Sequence, residues 1–409
     1  MDIRPILSTL RRHKVTAFLL IMEIALTCAI ICNAIFLIGQ RLERMQITSG
    51  VAEHELVYIQ MAYIGARPDA MARTAADLAA LRAIAGVKSA TLTNEIPFGA
   101  SSSNMGLRTD LMQQKDTINA SQYLGEDMLP TLGVQLLEGR DFRPDEYSDL
   151  SDVYVALSKG NMNALPKPAL VTRAVADQLW PGKDPLGKQM YVGGGIPLTV
   201  IGVVAKLIRT NQFAMGEQYS VINPIRMDMS QGTAYLIRCA SQDREQVLKS
   251  ALIKLKALDP NRIVLGKGTL DQLRQDYFQN DRAMAGILIG VCLALLIVTA
   301  LGIVGLASFW VAQRNRSIGV RRALGATRGN ILRYFQTENF LLATIGIALG
   351  MVLAYGVNLF LIVHYELPRM PAFYFPVGAV LLWLIGQCAV LGPALRAAAV
   401  PPVVATRSV

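Results

Sequence analysis

The chain has 409 residues, is 52% hydrophobic and has a mean hydropathy of +0.36, too apolar for an ordinary soluble domain. Its net charge of +10 does not call for nucleic acid, because residues 40–280 hold 26 basic and 25 acidic side chains while the remainder holds 14 and 5. Of those 14 basic residues, 12 fall in the N-terminal segment, the 313–333 stretch and the C-terminal tail, a distribution that orients membrane spans.

Residues 1–14 carry Arg4, Arg11, Arg12 and Lys14 among apolar positions and read as an amphipathic helix on the inner membrane surface. The apolar run at 15–38 is too long for a signal-peptide core and no small-residue cleavage site follows it. It reads as a retained anchor, the first predicted span, 15–39. Glu23 and Asn33 lie inside this run. A charge at that depth faces a protein interior or a partner, so both are candidate intramembrane polar contacts on a helix–helix seam. Snorkelling of Glu23 to the surface and a proton or substrate role are the alternatives.

Residues 40–281 read as mixed α/β, long enough for two subdomains. A helix is predicted at 70–84, ending at Gly86, with an extended stretch at 87–93. Strands are predicted on either side of Gly193-Gly194-Gly195 within 191–204. This glycine triplet is not a phosphate loop, since no lysine with Ser or Thr follows it. Residues 244–258 place Val247, Leu248, Leu252 and Leu255 on one helix face. Residues 145–170, rich in Asp, Ser and Asn, are either an excursion or a solvated loop. Cys28, Cys32, Cys292 and Cys388 fall in spans, which leaves Cys239 alone here, so the domain must hold together without an internal disulfide. His54 between Glu53 and Glu55 has no ligand spacing and reads as a surface histidine.

The uncharged run at 283–312 would be roughly 45 Å long as one helix, against a hydrocarbon core of about 30 Å. Either it tilts, or it continues beyond the membrane as a stalk, giving a predicted second helix at 282–312. Gly286, Gly290, Ala294, Gly302 and Gly305 would let neighbouring helices approach. The arginine-rich segment 313–336 follows. Val320, Leu324, Thr327 and Ile331 recur as one stripe of a short helix, with Gly325 as a helix end and Thr327 as a cap. Spans are predicted at 337–363 and 373–396, with a short connection at 364–372 and a tail at 397–409. By itself, the basic segment could simply set topology.

The run Ile318, Gly319, Val320, Arg321, Arg322, Ala323, Leu324, Gly325 and Ala326 resembles the signature of the MacB/FtsX-type ABC transporter permeases. In that family an arginine-rich segment after the second span forms a coupling helix on the ATPase. Ser317 stands where the family pattern has an acidic residue. Leu132-Gly133-Val134 through Leu137-Glu138-Gly139-Arg140-Asp141-Phe142 is similar to a conserved-pattern stretch of MacB-type periplasmic domains. So are the turn Trp180-Pro181-Gly182-Lys183-Asp184-Pro185-Leu186-Gly187-Lys188, the strand Ile201-Gly202-Val203-Val204 and the C-terminal Pro393-Ala394-Leu395-Arg396-Ala397-Ala398.

The resemblance implies a membrane protein with four transmembrane α-helices and a large mixed α/β (α+β) periplasmic domain inserted between the first and second. Both termini would be cytoplasmic, in a bacterial inner membrane. No P-loop sequence is present and 14 residues precede the first span. No cofactor is therefore expected in this chain, with ATP and Mg bound by a separate ABC ATPase subunit. A second permease chain, alike or different, membrane lipids, and a periplasmic adaptor or outer-membrane channel are the partners implied. The function implied is export or extraction of an amphipathic antibiotic, peptide or lipoprotein. The alternative is an FtsX-like regulator of a periplasmic cell-wall hydrolase. No residues support a membrane-anchored enzyme.

Overall fold

Continuous apolar sequence with few breakers gives long helices, and the first, α1, runs Lys14–Met45. In this computed structural model the described residues are 14–62, 69–161, 165–210, 216–229, 234–365 and 369–399. The amphipathic helix expected at 1–14 and most of the tail expected at 397–409 lie outside them. The chain divides into two units, one built from the N-terminal 46 residues with residues 280–409, the other from residues 47–279.

The second unit begins with β1 (Leu56–Ala62), α2 (Ala70–Arg82), β2 (Val87–Thr93), β3 (Asn104–Arg108) and β4 (Ile118–Leu124). It continues through α3 (Met128–Leu132), β5 (Leu136–Gly139), β6 (Ser148–Asp149), α4 (Leu150–Ser158), β7 (Pro168–Thr172) and α5 (Arg173–Leu179). Then come β8 (Gln189–Val192), β9 (Ile196–Val204), β10 (Ser220–Asn223), β11 (Ile225–Arg226), β12 (Ala234–Cys239), α6 (Arg244–Leu258), β13 (Ile263–Thr269) and α7 (Leu270–Tyr277). The predicted helices at 70–84 and 244–258 and the glycine hairpin are present, the last as β8 and β9 paired antiparallel. Residues 145–170 are not simply a loop. Leu150 and Val153 are buried and draw α4 into the fold.

These strands form two main sheets. The four-stranded one has the order β13-β1-β12-β2, with α2 and α6 packed on it. Its core includes Val57, Ile59, Leu81, Tyr235, Ile237, Val247 and Leu255. The other has the order β5-β9-β7-β10-β4-β3-β8, and a further β8–β9 pairing closes six of its strands into a ring. Val171, Val175, Met190, Leu198, Val200 and Val221 belong to its core. Two motif segments some 60 positions apart meet here, with Leu136 opposite Val204 and Gly139 opposite Gly202.

A buried ion pair ties the first subdomain together. Arg262 donates to Asp77 at 2.7 Å, and the Tyr235 hydroxyl donates to the same carboxylate at 2.5 Å. In the second, Glu95 is 1% exposed and accepts from the Ser121 and Thr210 hydroxyls at 2.6 and 3.0 Å. Burial pushes its carboxyl up to about 7, although these hydrogen bonds and Arg209 oppose the shift.

The first unit is helical: α1, α8 (Gln279–Ala323), α9 (Arg328–Tyr365) and α10 (Tyr374–Ala399). Among the described residues these are the four helices long and apolar enough to cross a membrane. Helix α1 is the hub. A Cβ on Gly346 or Gly350 of α9 would lie 2.8 Å from the Ile24 Cβ or 2.5 Å from the Cys28 Cβ, so the two helices touch backbone to backbone there. Gly378 of α10 gives room to the Cys32 side chain, whose sulfur would lie 2.5 Å from an added Cβ, and Phe36 meets Tyr374 edge-on. The glycines expected to serve this purpose on α8 mostly do not. Gly286, Gly290 and Gly305 face open space, and only Gly302 meets another helix.

Candidate functional site

The arginine-rich segment does not form a helix of its own. Residues 313–323 are the last turns of α8, which has 45 residues, and 328–336 are the first turns of α9. The predicted stripe is therefore split. Val320 and Leu324 stand exposed, whereas Ile331 is buried in α9.

The turn between the helices is closed by its own main chain. Gly325, at φ +98°, donates to the Arg322 carbonyl at 3.1 Å, and Ala326 donates to the Arg321 carbonyl at 3.0 Å. This Schellman pairing needs a left-handed residue at Gly325 and satisfies carbonyls that would otherwise be orphaned. Thr327 then caps α9, its hydroxyl oxygen accepting from the Asn330 amide at 3.2 Å. Gly325 as the stop and Thr327 as the cap stand where the sequence reading put them.

Two faces result. Ile318 and Gly319 turn inward, Ile318 into the apolar core of the bundle. Ser317, Val320, Arg321 and Leu324, spaced i, i+3, i+4 and i+7, are exposed on one face, with Leu324 at 83% and Val320 at 47%. The Ser317 hydroxyl donates to the Arg314 carbonyl at 2.9 Å, so position 317 belongs to this outer face. Ala323 is exposed beside it, while Arg322 and Ala326 are half-buried.

The arginines are not equivalent. Arg321 lies over the Tyr334 ring at 5.2 Å. Arg314 stacks on Trp310 at 5.6 Å and donates to both carboxylate oxygens of Glu338 at 2.8 and 3.1 Å. Glu338 is 1% exposed. Sequence reading did not single it out, although it lies within the first turn of the predicted third span. Its signal was that it is the lone acid between the arginine-rich segment and the apolar run that follows.

The two intramembrane candidates do not share one seam. The Glu23 carboxylate lies against Gly302 of α8, where an added Cβ would be 2.7 Å from either oxygen. One turn along α1, the Thr27 and Thr299 hydroxyls are 2.9 Å apart. Asn33 faces α9 instead, donating to the Ala354 carbonyl at 3.1 Å and to Ala29 on its own helix at 2.9 Å. Ten residues along a helix turn a side chain by roughly 80° from its starting direction, enough to give the two a different neighbour. At the far end of the same helix pair, Arg41 and Arg44 converge on the buried Asp281.

The model of the MacB-like periplasmic core domain matches residues 19–255, and that of the FtsX-like permease C-terminal region matches residues 289–402. The chain belongs to the MacB/FtsX-type ABC transporter permeases. It is 27% identical over 245 residues to the macrolide export ATP-binding/permease protein MacB of Chromobacterium violaceum, covering 59% of this chain and 36% of that protein. It is 22% identical over 421 residues to the ABC transporter permease YknZ of Bacillus subtilis, covering 99% and 98%. The chain thus spans about a third of the length of the MacB relatives it matches. The crystal structure of the periplasmic region of MacB from Actinobacillus actinomycetemcomitans overlaps 58% of this chain at a TM-score of 0.34 and 16% identity.

Proposed function

We propose that this chain is the permease subunit of an ATP-driven transporter in a bacterial inner membrane, and that the α8–α9 turn is where the ATPase docks. Both termini lie on the cytoplasmic side with that turn, and the α/β domain lies in the periplasm. One observation carries the reading: two bare aliphatic side chains, Val320 and Leu324, stand among arginines on a rigidly capped turn between two membrane-length helices. Exposed apolar side chains on such a rigid tip suit a protein partner better than water. ATP-driven closure of the ATPase subunits presses on this tip. The helices carry the displacement to the α/β domain, which exports or extracts an amphipathic substrate without a channel between the spans. A second permease chain completes the transporter.

The test is vanadate-sensitive ATP hydrolysis by the complex purified through this chain in lipid nanodiscs, beside the double variant Val320→Glu with Leu324→Glu. The reading expects ATPase to co-purify with the wild type and to be lost from a variant that still folds. If no ATPase accompanies the wild type, or the variant retains it in full, the docking assignment is wrong.

A further inference from the structure

We infer that the Arg314–Glu338 ion pair is the positioning contact through which movement of the α8–α9 tip enters α9, and through it the helical bundle. The inference rests on the docking reading above. It begins from an asymmetry among the helices. Helix α8 is the least enclosed: Gly286, Gly290 and Gly305 meet nothing, and Ile287, Leu293 and Leu301 point outward. Helix α9, by contrast, is locked to α1 at Gly346 and Gly350 and packs along α10. The buried apolar contacts of α8 with the bundle lie mainly in its second half, at Ile303, Ala307, Trp310, Val311 and Ile318, so a push delivered to it must reach the rest through that end.

Near the tip, two rungs join α8 to α9. Arg321 over Tyr334 is the outer one, and the two-pronged Arg314–Glu338 pair is the inner one. The inner rung stands out chemically. A carboxylate as buried as Glu338 is costly, and a well-packed apolar pair would hold the helices together as well or better. A directional pair does what an apolar contact does not: two charge-assisted hydrogen bonds to one carboxylate resist sliding by a helical turn. Trp310 stacked on the same guanidinium holds its plane in place. The tip, both helix ends and the pair then move as one lever. Displacement passes to α9, and at Gly346 and Gly350 to α1.

The experiment compares wild type, Glu338→Gln, the swap Arg314→Glu with Glu338→Arg, and the apolar pair Arg314→Met with Glu338→Met. Each is assembled with its ATPase in nanodiscs. Hydrogen exchange of residues 47–279 is read with and without vanadate trapping, alongside ATPase co-purification, basal hydrolysis and thermal unfolding. The expected result is that Glu338→Gln and the apolar pair retain the ATPase and basal hydrolysis. Their trapping-induced change in exchange falls about tenfold, and the swap restores most of it. A trapping response of wild-type size in the apolar pair would overturn the inference, because packing alone would then suffice. So would a response lost only in proportion to thermal stability. If the wild type itself recruits ATPase yet shows no trapping response, transmission to the α/β domain fails as a whole. If it recruits none, the docking reading fails first.

Discussion

Arg274 holds Glu53 from 221 residues away, one guanidinium nitrogen lying 2.8 Å from both carboxylate oxygens while another donates to the Ile47 carbonyl at 2.7 Å. The same guanidinium lies over Phe98 and Phe278, and Phe98 keeps a positive φ of 65° within that cluster. The chain enters the α/β domain near residue 47 and leaves it near 279. The contact therefore fastens the first and last segments of the domain to each other. Replacing Arg274 by Ala should destabilise the domain by about 1–3 kcal/mol, the partly exposed setting tempering the loss. Thermal unfolding of the purified chain would show it, with Arg274→Lys recovering part of the difference.

Asp77 and Arg262 offer a sharper contrast, since both are almost wholly buried. Removing one partner, as in Arg262→Met, leaves an uncompensated charge and should cost about 3–5 kcal/mol. Changing both, Arg262→Met with Asp77→Leu, should cost clearly less than the sum of the single changes. A double-mutant cycle by denaturant unfolding measures this. Additive losses would mean that the pair is not coupled.

Glu95 should make the stability of the α/β domain depend on pH. Its carboxyl holds its proton up to about pH 7 when folded, whereas in the unfolded chain it loses the proton near about 4.3. Between these values the folded state binds more protons. Stability should therefore fall as pH rises across that window, by as much as about 3 kcal/mol, and level off above it. Glu95→Gln should flatten the slope. Unfolding midpoints from pH 5 to 8 for both proteins decide the matter.

Gly350 and Gly286 both lie in long apolar helices but should respond oppositely to alanine. At Gly350 the new methyl meets the Cys28 side chain and the Ala25 backbone at 2.5 and 2.7 Å, so the α1–α9 contact must open. A loss of about 1–3 kcal/mol is expected. At Gly286 nothing lies within reach, and the helix should gain slightly or not change. Melting temperatures in nanodiscs, compared side by side, check both.

Local pattern carried most of what could be read in advance. The helix over Arg244–Leu258 and the strand over Val87–Thr93 follow from periodicity and from Gly86, and the β8–β9 hairpin follows from three adjacent glycines. What escaped were pairings between distant segments. Small residues on α8 say that a neighbour could come close, not that one does: of its glycines predicted to do so only Gly302 is met, and the backbone approaches are at Gly346 and Gly350 of α9. Glu23 and Asn33 looked like one seam because they share a span, yet helical rotation gives them different neighbours. Glu338 went unread because nothing local marks it as the partner of Arg314. The segment 313–336 read as a unit because its charge is continuous, whereas hydrogen bonding divides it at Gly325.

The turn at Gly325 keeps its form through main-chain carbonyls and amides and one threonine hydroxyl, and uses no side chain of the exposed face. Ser317, Val320 and Leu324 are therefore free to vary without altering the scaffold beneath them. Framework and address are separable at this point of the molecule. A serine at position 317 in place of an acid changes what the tip presents, and leaves its shape as it was.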